Sequence, residues 1–551
     1  MKHINDHLEH QLLMKQTPFS ELPSDFSSLC SRSDWTLKLR NFSFDHQLLH
    51  SSALEMDETQ YYHSLITSLK SSLSLYPYHL AQLIFKHCAI SPFKFYTDML
   101  SDTISSETSY DQIPNFTAAD IERIMGIGRN QFIDLMNTLR KQSKTVFFRK
   151  KPAIQRLLPS KPIPFSPPQW SHVELGIIRH GDLDNLSETE VSVIALLKDG
   201  PMPVTAFAPE IISSLYSHDF IFFSFPVSPS DVFVVPVLES FVMNKLNNDW
   251  LEGVLYDTFV ALNGSHSISN IASTLSLPTS TVVIAASVLS RLGLVFKRIN
   301  ASGDQSESGD VIDDDVIEKT AHRLCLFCDA SLAGLFMMGQ FGNELKKWGQ
   351  NLFEVGKVEH HAIKTVTELL RGSISSATFK EFSQYDVTRS RQFALSFISI
   401  MDKFLKMSDL PFDLVRIESV ARLKDNVRSK MIESYYTHAI SLSKLSLPPL
   451  PRSITNFSFS LPLQLHWWVR LYCSLKVESK GGSYLLKRGG FRPNLPSRYL
   501  DEVERGRSHV MIESMVSRGQ PGQYLSNGER VLNCSDLYSF LGLLMDFMNL
   551  F

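Results

Sequence analysis

The chain is 551 residues long, 43% hydrophobic and 20% charged, so it can bury sizeable cores, and at about 150 residues per domain its length suggests three or four domains. Lys plus Arg (54) against Asp plus Glu (57) leaves a formal net charge of −3, which supplies no global field to hold the chain on a phosphate backbone or an anionic membrane; any such contact must be local. The longest apolar runs, 221–225, 232–238 and 282–289, fall far short of the roughly 18 to 20 residues of a membrane-spanning helix, so none is expected.

The N-terminus, MKHINDHLEHQLLMKQ, mixes charged and apolar residues where a signal peptide needs an unbroken apolar core, which predicts a cytoplasmic protein. Residues 1–50 read as an N-terminal arm. His3, His7 and His10 fall at helical i, i+4, i+7 spacing, which could set three imidazoles on one face as metal ligands. The simpler reading is a frayed polar terminal helix that holds no metal.

Thr117-Ala-Ala-Asp120 has the form of a capping box ahead of Ile121 and Ile124. Gly126-Ile-Gly128 supplies a turn, and Phe132, Leu135, Met136 and Leu139 form a second apolar stripe, so a helix-turn-helix is predicted. From there Arg129, Arg140, Lys141, Lys144, Arg149, Lys150, Lys151 and Arg156 accumulate with only Asp134 among them. This is the strongest local electrostatic feature of the chain. Phe147 and Phe148 lie beside it, so Arg140, Lys141, Lys144, Phe147, Phe148, Arg149, Lys150 and Lys151 are the candidate partner-binding residues, suited to acidic and aromatic side chains. Lipid headgroups and nucleic acid are the competing ligands, and a solvated helix end running into a linker is the bland reading.

The repeated prolines of 151–170 mark an extended connector. Helices are expected at 187–197 and 209–216, followed by a hairpin of 220–226 and 232–237 around Ser228-Pro229-Ser230-Asp231, which together would make another winged unit. Ile268, Ile271, Ala272 and Leu275 keep i, i+3, i+4, i+7 spacing, Ser276-Leu277-Pro278 interrupts them, and Val282, Ala285, Ala286 and Leu289 repeat the spacing. Gly293 stands at a helix C′ position and 294–300 alternates like a strand, which completes a winged-helix pattern. Its second helix has no base before Arg291, a poor choice for reading DNA.

Residues 301–318 are polar and acidic without one basic residue, an expected solvated linker. The fold class is therefore predicted as α+β: a tandem winged-helix N-terminal module over 51–300, then a mixed α/β C-terminal module over 319–551 with a proline loop at 447–451. Six cysteines (Cys30, Cys88, Cys325, Cys328, Cys473, Cys534) are sparse for the length and fit reduced thiols. Cys325 and Cys328 make a C-x-x-C with no second close pair, and 323–329 reads better as an apolar strand with core cysteines than as a redox or metal site.

Catalytic motifs are wanting. Gly126-Ile-Gly128 lacks the third glycine and the preceding strand of a dinucleotide site, no glycine run ends in Gly-Lys-Ser/Thr, and no His-Glu-x-x-His occurs. Gly481-Gly-Ser483 lacks the second glycine of a nucleophile elbow. No catalytic residue, cofactor or metal is expected, and the chain is not expected to be an enzyme.

Leu75-Tyr-Pro-Tyr-His-Leu80, Ile90-Ser-Pro-Phe-Lys-Phe-Tyr-Thr97, Tyr110-Asp-Gln-Ile-Pro-Asn-Phe-Thr-Ala-Ala-Asp120, Gly126-Ile-Gly-Arg-Asn-Gln131 through Ile133-Asp-Leu-Met-Asn137, and Pro236-Val-Leu-Glu-Ser-Phe-Val-Met-Asn244 resemble, in order and spacing, the FAM91 family (family with sequence similarity ninety-one). Phe327-Cys-Asp329, Leu335-Phe-Met-Met-Gly339, Phe353-Glu-Val-Gly-Lys357 and Phe412-Asp-Leu-Val-Arg-Ile-Glu418 resemble the start of its C-terminal module. The resemblance covers most of 50–420. It implies a non-enzymatic adaptor of membrane traffic that joins a WD-repeat subunit in a complex at the trans-Golgi network. It also implies binding to a catalytically inactive TBC-domain adaptor, and through it to golgins that capture endosome-derived vesicles. Association with membranes would be peripheral and through proteins, with no nucleic acid bound and homodimerisation left open. A linker shorter than the family's usual insert, and an apolar end at 537–551, imply a truncated or divergent C-terminal module. The alternative function is a winged-helix nucleic-acid-binding regulator that uses 128–151.

Overall fold

The computed structural model of the chain describes residues 2–143, 154, 156–179, 181–238, 249–298, 324–328, 330–338, 341–375, 394–395, 397–398, 401–402 and 412–436, and the strands 438–441, 459–462, 468–473, 484–487, 509–514 and 529–533. Its contacts divide it into two units that do not follow the chain linearly. The first is Met1–Asp231 with Phe241–Phe259 and Pro278–Lys297; the second is Val232–Ser240 with Val260–Leu277 and Arg298–Phe551. The architecture is α+β, helical at its N-terminal end with small antiparallel and mixed sheets.

The first unit opens with α1 (Lys2–Met14), α2 (Arg32–Asp45), α3 (Glu58–Ser71), α4 (Ala81–Cys88), α5 (Pro92–Ser105), α6 (Asn115–Met125) and α7 (Arg129–Ser143). Local chemistry sets their starts. Ser31 and Asp34 form a reciprocal capping box on α2, Asp57 accepts from Thr59 N and Gln60 N on α3, and Ser91 with Pro92 opens α5. The helices bury one core that includes Trp35, Leu39, Tyr61, Leu65, Phe95, Ile121 and Phe132. Leu13, Trp35 and Leu39 belong to it, so the segment read from the sequence as an arm packs into this core.

The expected capping box at Thr117 is corrected. α6 begins at Asn115 behind Pro114, so Thr117 and Asp120 are interior helix residues, both fully buried. Proline presets the helical entry, and the carboxylate that receives the first N–H groups comes from elsewhere, as described below.

A second core in this unit is built on β1 (His172–Leu175), α8 (Glu188–Leu197), β2 (Met202–Pro203), α9 (Pro209–Ser217) and β3 (Ile221–Ser224), with sheet order β2-β1-β3. β3 pairs antiparallel with β1, Val173 opposite Phe223. The predicted hairpin of 220–226 with 232–237 is thereby overturned. Pro226 and Pro236 would each remove a ladder donor, whereas β1 contains no proline. The proline-rich stretch has no strand among its described residues yet packs closely: Ile154 and Leu158 join the helical core, and Phe165 and Trp170 lean on the sheet core.

α10 (Trp250–Ala261), α11 (Ile268–Leu275) and α12 (Thr279–Arg291) follow, with a two-residue strand at Phe296–Lys297. The stripes predicted for the two later helices are buried: Ile271 0%, Leu275 3% and Leu289 0% exposed. In the second unit α11 packs on α16 (Asp425–Tyr435), where His266 stacks against Tyr435 with centroids 4.4 Å apart and Lys430 Nζ donates to Ser276 Oγ at 2.5 Å.

The rest of that unit is a six-stranded mixed sheet. β4 (Leu324–Cys328) leads through α13 (Ala330–Met338), α14 (Asn343–Glu354), β5 (Lys357–Val358) and α15 (His360–Ser375) to β6 (Phe412–Arg416), and α16 leads to β7 (His438–Ser441), β8 (Phe459–Pro462) and β9 (Trp468–Cys473). The order is β8-β9-β7-β4-β6-β5, with β4 parallel to both β6 and β7. A parallel strand covered on both faces must be apolar throughout, which is why Leu324-Cys-Leu-Phe-Cys328 reads without alternation. A separate antiparallel sheet comprises β10 (Tyr484–Lys487), β11 (His509–Ser514) and β12 (Glu529–Asn533).

Candidate functional site

The basic cluster begins on α7. Gly126 ends α6 in the left-handed region (φ 67°), its N–H bonding Glu122 O at 2.8 Å, and the chain re-enters a helix at Arg129. Phe132 anchors α7 against Tyr110, with centroids 5.5 Å apart, and Leu135, Met136 and Leu139 are half-buried on the same stripe. The charges are less isolated than the sequence suggests. Arg129 Nε lies 3.1 Å from Asp111 Oδ1 and Arg140 Nη2 lies 3.8 Å from Glu107 Oε2, acids supplied by the segment between α5 and α6. Arg140 and Lys141 stand in the last turn of α7, where the helix dipole favours cations. Lys144, Phe147, Phe148, Arg149, Lys150 and Lys151 lie outside the described residues.

Reading along the chain missed a polar cluster inside the first unit. Asp120 on α6 is fully buried and accepts from Tyr78 Oη at 2.5 Å and Tyr96 Oη at 2.7 Å, and Tyr96 Oη in turn accepts from Tyr76 N at 3.0 Å. Arg291, at the end of α12, lays its guanidinium over Tyr78 at 3.9 Å, and Arg123 lies over Phe165 at 3.8 Å. Burial raises the Asp120 carboxyl above its usual range, opposed by the two tyrosine hydroxyls and the two arginines. Burial also lifts both tyrosines well above their ordinary values and pushes Arg123 down to about 10. Each hydroxyl is committed to the carboxylate, so the cluster ties α5, α6, α12 and the Tyr78 turn together and offers no activated nucleophile. The Arg291 guanidinium, the one base of the predicted recognition helix, is turned onto this cluster.

Glu252 on α10 supplies the missing cap of α6. It is fully buried, and its Oε1 accepts from Phe116 N at 3.0 Å and Thr117 N at 3.3 Å. Desolvation, with the nearby Asp249 charge, pushes its carboxyl up to about 8 against those two N–H bonds.

In the second unit Cys325 and Cys328 are 0% and 2% exposed on β4. Residues three apart in a strand project to opposite faces, so these two thiols cannot hold one metal ion or join as a disulfide. Burial raises the Cys325 thiol well above its ordinary value, while Cys328 donates toward Val415 O at 3.6 Å. Where β4 ends against later parallel strands on both sides, a doubly wound sheet would offer the first helix N-terminus to a phosphate. Here Glu418 Oε1 accepts from Ala330 N at 3.1 Å and takes that position. The side chains of His3 and His7 lie outside the described residues, and His10 sets its ring edge-on to Phe42, centroids 5.4 Å apart. Among the described residues no group of three His, Cys, Asp or Glu is arranged to hold a metal, and no single helix is long and apolar enough to cross a membrane.

The two units thus define an α+β chain in which, among the described residues, the buried Asp120 is held by tyrosine hydroxyls and the buried Glu252 by backbone N–H groups of the chain itself. Two family models match it, FAM91 N-terminus over residues 12–311 and FAM91 C-terminus over residues 320–515. The chain belongs to the FAM91 family. The second match corrects the expectation of a partial C-terminal module, since it runs on to 515, well past the last motif recognised near 420.

Proposed function

We propose that the chain is a non-enzymatic scaffold of vesicle traffic. In this reading it docks a WD-repeat subunit and a TBC-domain adaptor at the trans-Golgi network, and through that adaptor golgins that capture endosome-derived vesicles. It is held at membranes by proteins rather than by lipid. The observation that carries the reading is membership of one family through both modules, since that family's resemblance implies an adaptor. Two features of the geometry support it. The Arg291 guanidinium of α12 faces Tyr78 rather than a phosphate, and the helix N-terminus after β4 is already occupied by Glu418.

The docking surface is assigned to the end of α7 and the basic residues that follow it in sequence. Reversing Arg140, Lys141, Arg149, Lys150 and Lys151 to Glu is expected to weaken capture of the TBC-domain adaptor at least tenfold, with the circular dichroism spectrum unchanged. Undiminished binding by the folded variant would remove the segment from the interface.

A further inference from the structure

The helix α11 lies inside the stretch matched by the FAM91 N-terminus, yet it is built into the second unit together with the stretch matched by the FAM91 C-terminus. Its flanks are shaped by local chemistry. Asn263 Oδ1 accepts from Ser265 N at 3.1 Å and from His266 N at 3.0 Å, and Asn263 Nδ2 donates to His266 Nδ1 at 2.7 Å, so the imidazole is fixed in orientation. Gly264 takes the left-handed region (φ 69°) inside this turn. Ser267 then caps α11 by accepting from Asn270 N, and Ser276 ends it in the left-handed region (φ 57°). A short element fixed in this way loses little conformational freedom when it docks.

Three of its groups meet the rest of the second unit. The His266 ring lies over Tyr435 with centroids 4.4 Å apart, and Ser276 Oγ accepts from Lys430 Nζ at 2.5 Å. The start of α11 thus meets the end of α16 and its end meets the middle, so the two helices run in opposite directions. Each buries an apolar stripe, Ile268, Ile271 and Leu275 on α11 and Val427, Met431 and Tyr435 on α16. On the sheet side, a Cβ on Gly264 would stand 3.0 Å from Glu359 Oε2 and 3.4 Å from Val234 Cγ2, so the turn before α11 is fitted against the junction of β5 and α15. All of these residues belong to the second unit.

We propose that residues 260–277 are a docking element for the C-terminal FAM91 module, with α16 and the Glu359 junction as its receptor, and that the module holds this segment even when no peptide bond joins the two. The N-terminal match thus supplies a helix that the C-terminal fold needs, and the acidic stretch 301–318 is not the boundary between independent modules. Without the segment, Tyr435, only 4% exposed, would lose the ring that covers it. Burial of apolar surface on both helices drives the docking, while the His266 and Lys430 contacts fix its register.

The test cuts the folded full chain at a protease site inserted within 301–318. The two pieces are expected to leave a sizing column together and to part only in urea, at a midpoint that reports the docking. Gly264→Val places a side chain against Glu359 at a positive φ and is expected to abolish co-elution. Should that variant not fold, the exposed Ser276 and Lys430 decide. Ser276→Lys sets a second cation against Lys430 and is expected to lower the urea midpoint by a few tenths of a molar, and Lys430→Glu added to it is expected to restore the midpoint. Pieces that part without urea, a folded Gly264→Val chain whose pieces stay together at the wild-type midpoint, or a Ser276→Lys midpoint that is unchanged or that Lys430→Glu does not restore, each overturns the proposal.

Discussion

Glu252 is a carboxyl group placed where water cannot reach it, with two backbone N–H groups on it and the Asp249 charge nearby. Its proton is held up to about 8 in the folded chain against an ordinary 4.5. Between those values the unfolded chain has released a proton that the folded chain retains, so stability falls as pH rises through the window and levels off above it. Glu252→Gln keeps an acceptor for Phe116 and Thr117 but cannot titrate. Its melting temperature is expected to lose the alkaline decline that the wild type shows between pH 6 and pH 8.5, which calorimetry at matched ionic strength measures. A decline of equal slope in both proteins would assign it to other groups. Nothing in the sequence singles out Glu252, because its partners are 136 and 135 residues away. Thr117 and Asp120 were legible as a helix start but wrongly assigned as its caps, since capping-box spacing cannot tell a surface aspartate from one committed to two buried tyrosines.

Helices and turns were the legible elements. α11 and α12 follow from stripes of Ile, Ala, Val and Leu whose spacing survives into the structure as buried faces. Leu289 is fully buried on α12, so Leu289→Ala is expected to cost on the order of 2 to 5 kcal/mol through lost transfer energy plus a cavity. Denaturant unfolding of the full chain reads this directly, and a midpoint equal to the wild type would exclude Leu289 from the core. Strand pairing was less legible. β3 was correctly seen as a strand, yet its partner β1 lies 46 to 52 residues upstream by their register rather than across the next turn. A run of apolar residues shows that a strand forms without showing which donors it meets. The C-x-x-C pair is the converse case, since a strand across 323–329 already implies opposite faces for the two thiols and needs no tertiary contact to set the metal reading aside.

For the whole molecule, the nucleic-acid reading and the scaffold reading differ in what salt does. A DNA binder that neutralises six phosphates loses about 0.9 log units of affinity per phosphate for each log unit of salt. This chain has a net charge of −3, a cluster partly paired by Asp111 and Glu107, and an arginine drawn inward by Asp120. Fluorescence anisotropy with duplex DNA is expected to give a Kd no tighter than roughly 10 µM at physiological salt, and a tagged chain is expected at Golgi membranes only while its protein partners are present. Sub-micromolar binding with a steep salt slope and nuclear accumulation would favour the regulator instead.

The sequence by itself determined the family, the α+β class, the helical stripes and the buried β4, because each depends on spacing within about a dozen residues or on motifs that stand in order. Tertiary structure alone decided that α11 packs on α16 while the chain before and after it belongs to the other unit, that β3 joins β1, and that Asp111 and Glu107 temper the basic helix. It alone brought Tyr78, Tyr96, Asp120 and Arg291 into one cluster. The physical reason is common to all of these: a hydrogen bond or an ion pair depends on distance in space, and burial strengthens it, whereas order along the chain records only which groups are available to meet.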